Sequence, residues 1–545
     1  MERINDMLKS LFQVNGSPFF SIGGQTNNSS AYDKEAMQRA FAGIEAMGMN
    51  TIAAPVYWET LEPEEGRYCF WQMDMIVEEA RKRGLKAVLL WFGTWKNGAS
   101  HYVPEWMKKD AVTYRPVYTK SGLPTTTLSP HCAAVLNKDK KAFIQLMTHL
   151  KEINKDETVL AVQVENEPGL LGTSRDYSVE ADVLFHTEIP EEVRDWLEIL
   201  PEGKIIDIYE EHGRSKKGDW QKTFGFHASE IFSAYHFAKF VDEIAAEGKL
   251  VYPLPMYTNA WPREQGNRLA GIDFPSGGAA TLVLDIWKKF APHLDCLSPD
   301  IYYEDYFTYH ELCEAYKRPD NILYIPESKA NESNGMHILR MIEDCELSSV
   351  HCFAVDSIFD NTGSMKPECL DFKDTITILK VMKPLLEKYQ GTGKIKAVTQ
   401  YAGMDMQFMD FGDYYGRVCY LNSIKDEPYL HLDPWHNAPE LLQNKAKGLI
   451  IYEGKGSFYL AGRGYKLELL QKSSIEEMTD VLYSQKVFVT RNIAYLRVEE
   501  GELESDGSFR TKRRRNGDET DTGLWVEPDI GLLHVVLPFR EPSGN

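Results

Sequence analysis

Val162-Gln163-Val164-Glu165-Asn166-Glu167-Pro168 is a short apolar run that ends in an Asn-Glu pair. Thr158-Val159-Leu160-Ala161 leads into it, so the whole stretch reads as a buried strand. A carboxylate at the end of such a strand sits at the mouth of a core, where its charge is costly to hold. Its place suits proton transfer.

Outward from this strand, residues 18 to about 390 alternate strand-like apolar runs with amphipathic helical stretches. The strands are expected at 19–23, 50–56, 85–91, the run before Glu167, 253–258, 294–298, 322–325 and 349–355. Met37, Phe41, Ile44 and Met47 recur at helical spacing, with Gly48 as the stop. Met73, Ile76, Val77 and Ala80 mark a second helix closed by Gly84, and Ile378, Met382, Leu385 and Tyr389 mark one after the last strand. Eight strands in alternation with helices predict an α/β fold, a (β/α)8 TIM barrel over residues 1–390. The rival, a doubly wound open sheet, needs a glycine-rich fingerprint after its first strand, and Gly23-Gly24 alone is not one. The charged, weakly periodic segment at about 170–222 reads as an insertion over the barrel mouth.

Beyond Gly391-Thr392-Gly393 the pattern changes to short alternating runs at 407–411, 417–421, 448–452, 457–461, 486–490, 493–498 and 532–537. Gly454, Gly462, Gly464 and Asn516-Gly517 supply turn signals between them. Residues 391–545 are therefore expected to form a C-terminal β-sandwich-like domain.

Tyr324-Ile325-Pro326-Glu327-Ser328 repeats the arrangement of a Glu just after a buried strand, here the seventh. In a (β/α)8 barrel the strand C-terminal ends open on one face, where active sites lie. Glutamates ending strands four and seven face each other across that mouth. Such a pair suits glycoside hydrolysis, in which one carboxyl gives a proton to the leaving oxygen and the other attacks. Glu167 is assigned as acid/base and Glu327 as nucleophile, with Asn166 placed to bond the sugar 2-hydroxyl. Trp95, Lys96 and Asn97 follow strand three. Trp95 either stacks on a sugar face or packs within its loop, and Lys96 and Asn97 either bind hydroxyls or face solvent. Asn259 and Trp261, after strand five, read as a second sugar-contact pair. Glu59 and Gln25 are further candidates to face the pocket, although Glu59 also suits a cap or pair within its turn.

The 545-residue chain has 43% hydrophobic and 12% aromatic residues, a globular composition. Its formal net charge of −21 argues against nucleic acid or an anionic membrane as a partner. Eight cysteines form no CxxC pair, and the histidines show no HExxH spacing, so no metal and no cofactor are expected. Scattered thiols in a long chain, no basic n-region at the start and no apolar run of membrane-span length point to the cytoplasm. Gly454-Lys455-Gly456-Ser457 lacks P-loop spacing and reads as a turn. The basic run Lys512-Arg513-Arg514-Arg515 reads as an exposed hairpin arm or a run paired with local acids. A homo-oligomer fits the composition as well as a monomer does.

The Asn-Glu on strand four and Glu on strand seven resemble the clan of retaining (β/α)8 glycosidases. Within it, Val162 to Glu167 is similar to the acid/base motif of glycoside hydrolase family 35, the β-galactosidases. Tyr57-Trp58-Glu59-Thr60-Leu61-Glu62-Pro63-Glu64-Glu65-Gly66 resembles a turn shared with the family 42 β-galactosidases. Trp91 to Gly98, Tyr257-Thr258-Asn259-Ala260-Trp261, Pro299-Asp300-Ile301-Tyr302 and Asn516-Gly517-Asp518-Glu519-Thr520 are similar to bacterial β-galactosidases with an uncharacterised C-terminal domain. The resemblance implies that Tyr302, or its neighbour Tyr303, hydrogen-bonds the nucleophile. It also implies a retaining exo-β-glycosidase, first a β-galactosidase, acting on a carbohydrate substrate. Pro55 and Asn97-Gly98-Ala99 stand where family 35 places galactose contacts, so a β-glucosidase or a transglycosidase on gluco-oligosaccharides is the alternative. A non-catalytic carbohydrate-binding protein is the third reading. Retention goes with carboxyl groups about 5–5.5 Å apart.

Overall fold

Strands buried on both faces need helices or loops on either side, and such strands read as unbroken apolar runs rather than as alternation. The computed structural model describes residues 10–215, 217–263, 268–423, 444–472, 494–515, 519–520, 523–526 and 530–538. It contains eight parallel strands in one sheet: β1 (Ile22–Gln25), β2 (Thr51–Tyr57), β3 (Lys86–Lys96), β4 (Val159–Asn166), β5 (Met256–Ala260), β6 (Cys296–Pro299), β7 (Tyr324–Ile325) and β8 (Ser349–Cys352). Every residue of β2 and of β4 is buried. The strand order is β6-β5-β4-β3-β2-β1-β8-β7. Between the two ends, the Ile301 N–H donates to the Glu327 carbonyl at 2.9 Å, and Ile301 bridges Ser328 in parallel. The sheet is therefore a (β/α)8 barrel, as the alternation predicted.

Helices α1 (Lys34–Met47), α2 (Trp71–Lys82), α3 (Ala133–Ile153), α4 (Ala228–Val251), α5 (Leu284–Phe290) and α6 (Tyr306–Tyr316) follow β1 to β6 in turn. The first starts where the Asp33 carboxylate accepts from the N–H groups of Glu35 (2.6 Å) and Ala36 (2.9 Å). It stops at Gly48, whose φ of 75° is left-handed. Met37, Phe41, Ile44 and Met47 form its buried face. At Gly23 of β1 an added Cβ would lie 2.4 Å from the His351 ring of β8, so this strand pair approaches closely because glycine is there.

By contacts the chain divides into two units, 1–329 with 349–359, and 330–348 with 360–545. The sequence division at 390 differs in one respect. Helices α7 (Glu332–Asp344) and α8 (Pro367–Tyr389), which follow β7 and β8, are grouped with the C-terminal sheets. The expected insertion after β4 is an excursion with four short helices, Val179–Phe185, Glu191–Ile199, Lys204–Glu211 and Trp220–Phe224.

The second unit holds two antiparallel sheets. With β9 (Ile395–Thr399), β10 (Met406–Asp410), β11 (Tyr414–Tyr420), β12 (Lys447–Gly454), β13 (Ser457–Arg463), β14 (Tyr465–Gln471), β15 (Arg497–Leu503), β16 (Phe509–Arg515), β17 (Leu524–Val526) and β18 (Gly531–Val536), the sheets run β9-β12-β13-β18-β15-β16 and β10-β11-β14-β17. Val398, Ile450, Phe458 and Val535 of the first sheet share one core with Val418, Leu467, Leu469 and Leu524 of the second, which makes a sandwich. The basic run lies on edge strand β16. Lys512 pairs with Glu502, Arg513 with Glu500 and Glu519, and Arg514 with Glu499. Charge on an edge strand also discourages pairing with another chain. The strand expected at 486–490 and the Asn516-Gly517 turn lie outside the described residues. Among those residues no helix is long and apolar enough to cross a membrane.

Candidate active site

A cavity of about 460 Å³ opens where the barrel strands end, a size usual for small-ligand sites. Its wall takes Asn28 from beyond β1, Lys96 and Asn97 from the end of β3, Glu167 after β4, Trp261 and Pro262 after β5, Asp300, Tyr302 and Tyr303 after β6, Glu327 after β7 and Phe353 after β8. The two glutamates singled out in the sequence therefore meet in one chamber.

Three donors converge on Glu327, which is 5% exposed. Gln25 Nε2 reaches Oε1 at 2.7 Å, Asn166 Nδ2 reaches Oε1 at 3.4 Å, and the Tyr302 hydroxyl donates to Oε2 at 2.7 Å. Both carboxyl oxygens are thus held in direction by groups from β1, β4 and the β6 loop. Burial and then the Glu327 charge push the Tyr302 phenol up, so it keeps the proton it donates.

Glu167 has a different environment. Its main chain is left-handed, with φ of 44°, a conformation that costs free energy for a non-glycine residue and is common at functional sites. Asn259 Oδ1 holds it there by accepting the Glu167 N–H at 2.8 Å. Burial, followed by the nearby Glu327 charge, raises its carboxyl to about 7, while Lys96 acts in the opposite direction. Two carboxyls of one cavity are thereby set apart in character, one bound by donors and one poised to hold a proton near neutrality.

The end of β3 is built around a third glutamate that the sequence reading passed over. The β3–β4 ladder breaks between Trp91 and Lys96. The Glu165 carboxyl supplies acceptors there, to the Thr94 N–H at 3.1 Å and the Trp95 N–H at 2.6 Å. Asp139 of α3 lies beside it and accepts from Trp91 Nε1 at 2.9 Å. Burial raises both carboxyls, so this pair favours holding a proton. Pairing resumes at Lys96 and Asn166, and Lys96 Nζ donates to Asn166 Oδ1 at 2.8 Å.

Lys96, Asn97, Trp261 and Tyr302 line the cavity, and the Tyr302 phenol is bonded to Glu327. Three other candidates lie off the cavity wall. Trp95 is fully buried; its indole N–H bonds the Leu128 carbonyl at 3.0 Å, and its ring packs on Phe237 and Phe240 of α4. It follows Lys96 backwards along a strand, so it points to the opposite face. Asn259 spends its amide on Glu167 and Asp300 and does not line the wall. Glu59 binds Lys108 Nζ at 2.9 Å and the Tyr32 hydroxyl outside the cavity. Asn166 is fully buried between Lys96 and Glu327. Asp300, Asn28 and Phe353 were not anticipated; only their position just after barrel strands could have flagged them.

Trp95→Ala is expected to cost about 3–5 kcal/mol of stability, the usual loss for a large aromatic in a packed core. Trp95→Phe should leave KM for a glycoside unchanged. Urea unfolding checks the first, and a stability within error of the parent would contradict the core assignment.

Residues 27–200 match the family model described as Beta-galactosidase, and residues 372–527 match a domain of unknown function, DUF5597. No curated protein matches the sequence. Among solved structures, β-galactosidase from Bacillus circulans sp. alkalophilus is 15% identical with a TM-score of 0.48, covering 68% of this chain and 57% of that one. β-Galactosidase from Rahnella sp. R3 is 18% identical with a TM-score of 0.47, over 69% of this chain and 58% of that one. The catalytic domain of β-amylase from Paenibacillus polymyxa is 14% identical with a TM-score of 0.47, over 67% and 99%. The chain thus spans less than three-fifths of the length of these β-galactosidases. The barrel thus carries a carboxyl pair on strands four and seven, and residues 27–200 of that barrel are similar to the family described as Beta-galactosidase.

Proposed function

We propose that this protein is a retaining exo-β-glycosidase, in the first place a β-galactosidase, that removes terminal β-linked sugars from oligosaccharides or glycosides. Glu167 protonates the glycosidic oxygen while Glu327 attacks the anomeric carbon, giving a glycosyl ester. Glu167 then takes a proton from water, and the water oxygen displaces Glu327. The observation that carries this reading is the division of labour between the two carboxyls. Glu327 is aimed by Gln25, Asn166 and Tyr302, whereas burial and the Glu327 charge hold Glu167 at about 7.

The walls suit a sugar. Trp261 and Phe353 offer apolar faces, Lys96 and Asn97 offer donors, and Asn28 Oδ1 is buried with no donor among the described residues, an acceptor open to a substrate hydroxyl. Asn166 works through Glu327 and Lys96. The barrel is the catalytic domain and residues 391–545 are non-catalytic. None of the eight cysteines is in a disulfide, and seven of them are buried, which suits a reducing compartment and a cytoplasmic enzyme.

The test is proton NMR of the first product formed from a panel of aryl β-glycosides, with the β-galactoside beside the β-glucoside. The β-anomer should appear first and mutarotate later, with the β-galactoside turned over fastest. An initial α-anomer would refute retention. Preference for the β-glucoside, or transfer to an oligosaccharide acceptor, would reassign the sugar or the outcome.

A further inference from the structure

Asp300 is a third carboxyl on the cavity wall, and the double displacement above has no task for it. It follows β6 and is 2% exposed. One oxygen is fixed: Asn259 Nδ2 donates to Oδ2 at 2.6 Å, while Asn259 Oδ1 accepts the Glu167 N–H at 2.8 Å. Those two bonds set the amide orientation, because a flipped amide would turn NH2 toward an N–H and oxygen toward a carboxylate. The Asp300 N–H donates to the Ala260 carbonyl at 3.0 Å, so β5 holds this residue at both main chain and side chain. The other oxygen, Oδ1, is buried and meets no N–H or O–H among the described residues. The Glu167 carboxyl lies in hydrogen-bond contact with Asp300. Two carboxyls bond to each other only when one carries a proton. With both ionised, three like charges would surround a cavity whose wall offers one cation, Lys96, among the described residues.

We propose that Glu167 and Asp300 form a dyad that shares one proton, with Asp300 a positioning residue that holds this proton in contact with the Glu167 carboxyl. This rests on the reading of Glu167 as acid/base. The charge count supports it. At rest the dyad carries one negative charge and Glu327 a second. When the dyad proton passes to the glycosidic oxygen, the C–O bond to the aglycone breaks and Glu327 becomes a neutral ester. Both dyad carboxyls are then ionised, so the wall still carries two negative charges. Water returns one proton to the dyad as its oxygen bonds the anomeric carbon and Glu327 leaves as carboxylate. The wall never has to hold a third charge. Facing the pair are Lys96, Glu327 and the phenols of Tyr257, Tyr302, Tyr316 and Tyr324, whose burial keeps them protonated.

The test is Asp300→Asn in the full chain. The amide cannot share the proton. Its N–H stabilises ionised Glu167, and the charge of Asp300 is gone. The alkaline limb of kcat/KM should therefore move to lower pH by about one unit or more. Substrates with poor leaving groups should lose at least about tenfold in kcat/KM, and dinitrophenyl glycosides, which need little acid help, should change far less. Infrared titration reads the proton without turnover. Beside the band of the Glu165–Asp139 pair, a protonated-carboxyl band that titrates near 7 in the parent should move to lower pH in both Asp300→Asn and Glu167→Gln. Asp300→Ser, read identically, replaces Asp300→Asn should the latter fail to fold. An unmoved limb, or a band that moves in Glu167→Gln alone, overturns the dyad. Absence of glycosidase activity in the parent, with the shared band intact, overturns the proposed function and leaves the dyad standing.

Discussion

Glu327→Gln is expected to lower kcat on aryl glycosides by at least about four orders of magnitude, because the amide cannot form the glycosyl ester on which both steps depend. The substitution is close to isosteric. Gln25, Asn166 and the Tyr302 hydroxyl already direct the group, and the replacement keeps an acceptor for at least one of them. The barrel should fold as before, with a melting temperature within a few degrees of the parent. Substrate binding should survive, since Asn28, Asn97, Trp261 and Phe353 are untouched. Calorimetric binding of the aryl glycoside alongside the rate separates these effects. Full activity in this variant would remove Glu327 from the chemistry.

Glu167→Gln should reduce turnover by about 10²–10⁴-fold, the range for loss of a positioned acid–base group. The loss should depend on the substrate. A dinitrophenyl leaving group departs without protonation, so its first step should stay fast and the glycosyl ester should accumulate. An alkyl or sugar leaving group needs the proton, so its first step should nearly stop. The pH profile carries the sign. Glu167 must be protonated to act as acid, and burial with the Glu327 charge raises it to about 7. In the parent, kcat/KM should fall as pH rises through that value. In the variant this alkaline limb should be gone. A limb that persists unchanged would mean another group supplies the proton, and equal losses on both leaving groups would point to damage other than lost acid catalysis.

Much of this site was legible in the sequence because barrel strands announce themselves. β2 and β4 are buried at every position, and such strands are apolar throughout, so their polar ends stand out. Glu167, Glu327, Lys96, Asn97, Trp261 and Tyr302 all follow or end such runs, and all line the cavity. Asp300 also follows one, but an acid at a strand end has many ordinary uses. Three further candidates do not line the cavity. Trp95, Asn259 and Glu59 lie at the right height in the barrel and point elsewhere.

Sequence by itself determined the order of strands and helices, the change of pattern beyond the barrel and the two strand-end glutamates. Local burial pattern and turn chemistry encode those features within a few residues. Tertiary structure alone decided which polar side chains share the cavity. Along a regular strand, Glu165 and Glu167 would point to the same side. Left-handed turns at Glu165 (φ 61°) and Glu167 (φ 44°) break that period, sending one carboxyl to the β3 amides and the other to the cavity. The partners that fix these turns, Asn259 on β5 and the Thr94 and Trp95 N–H groups of β3, are distant in the chain and meet only when the barrel closes.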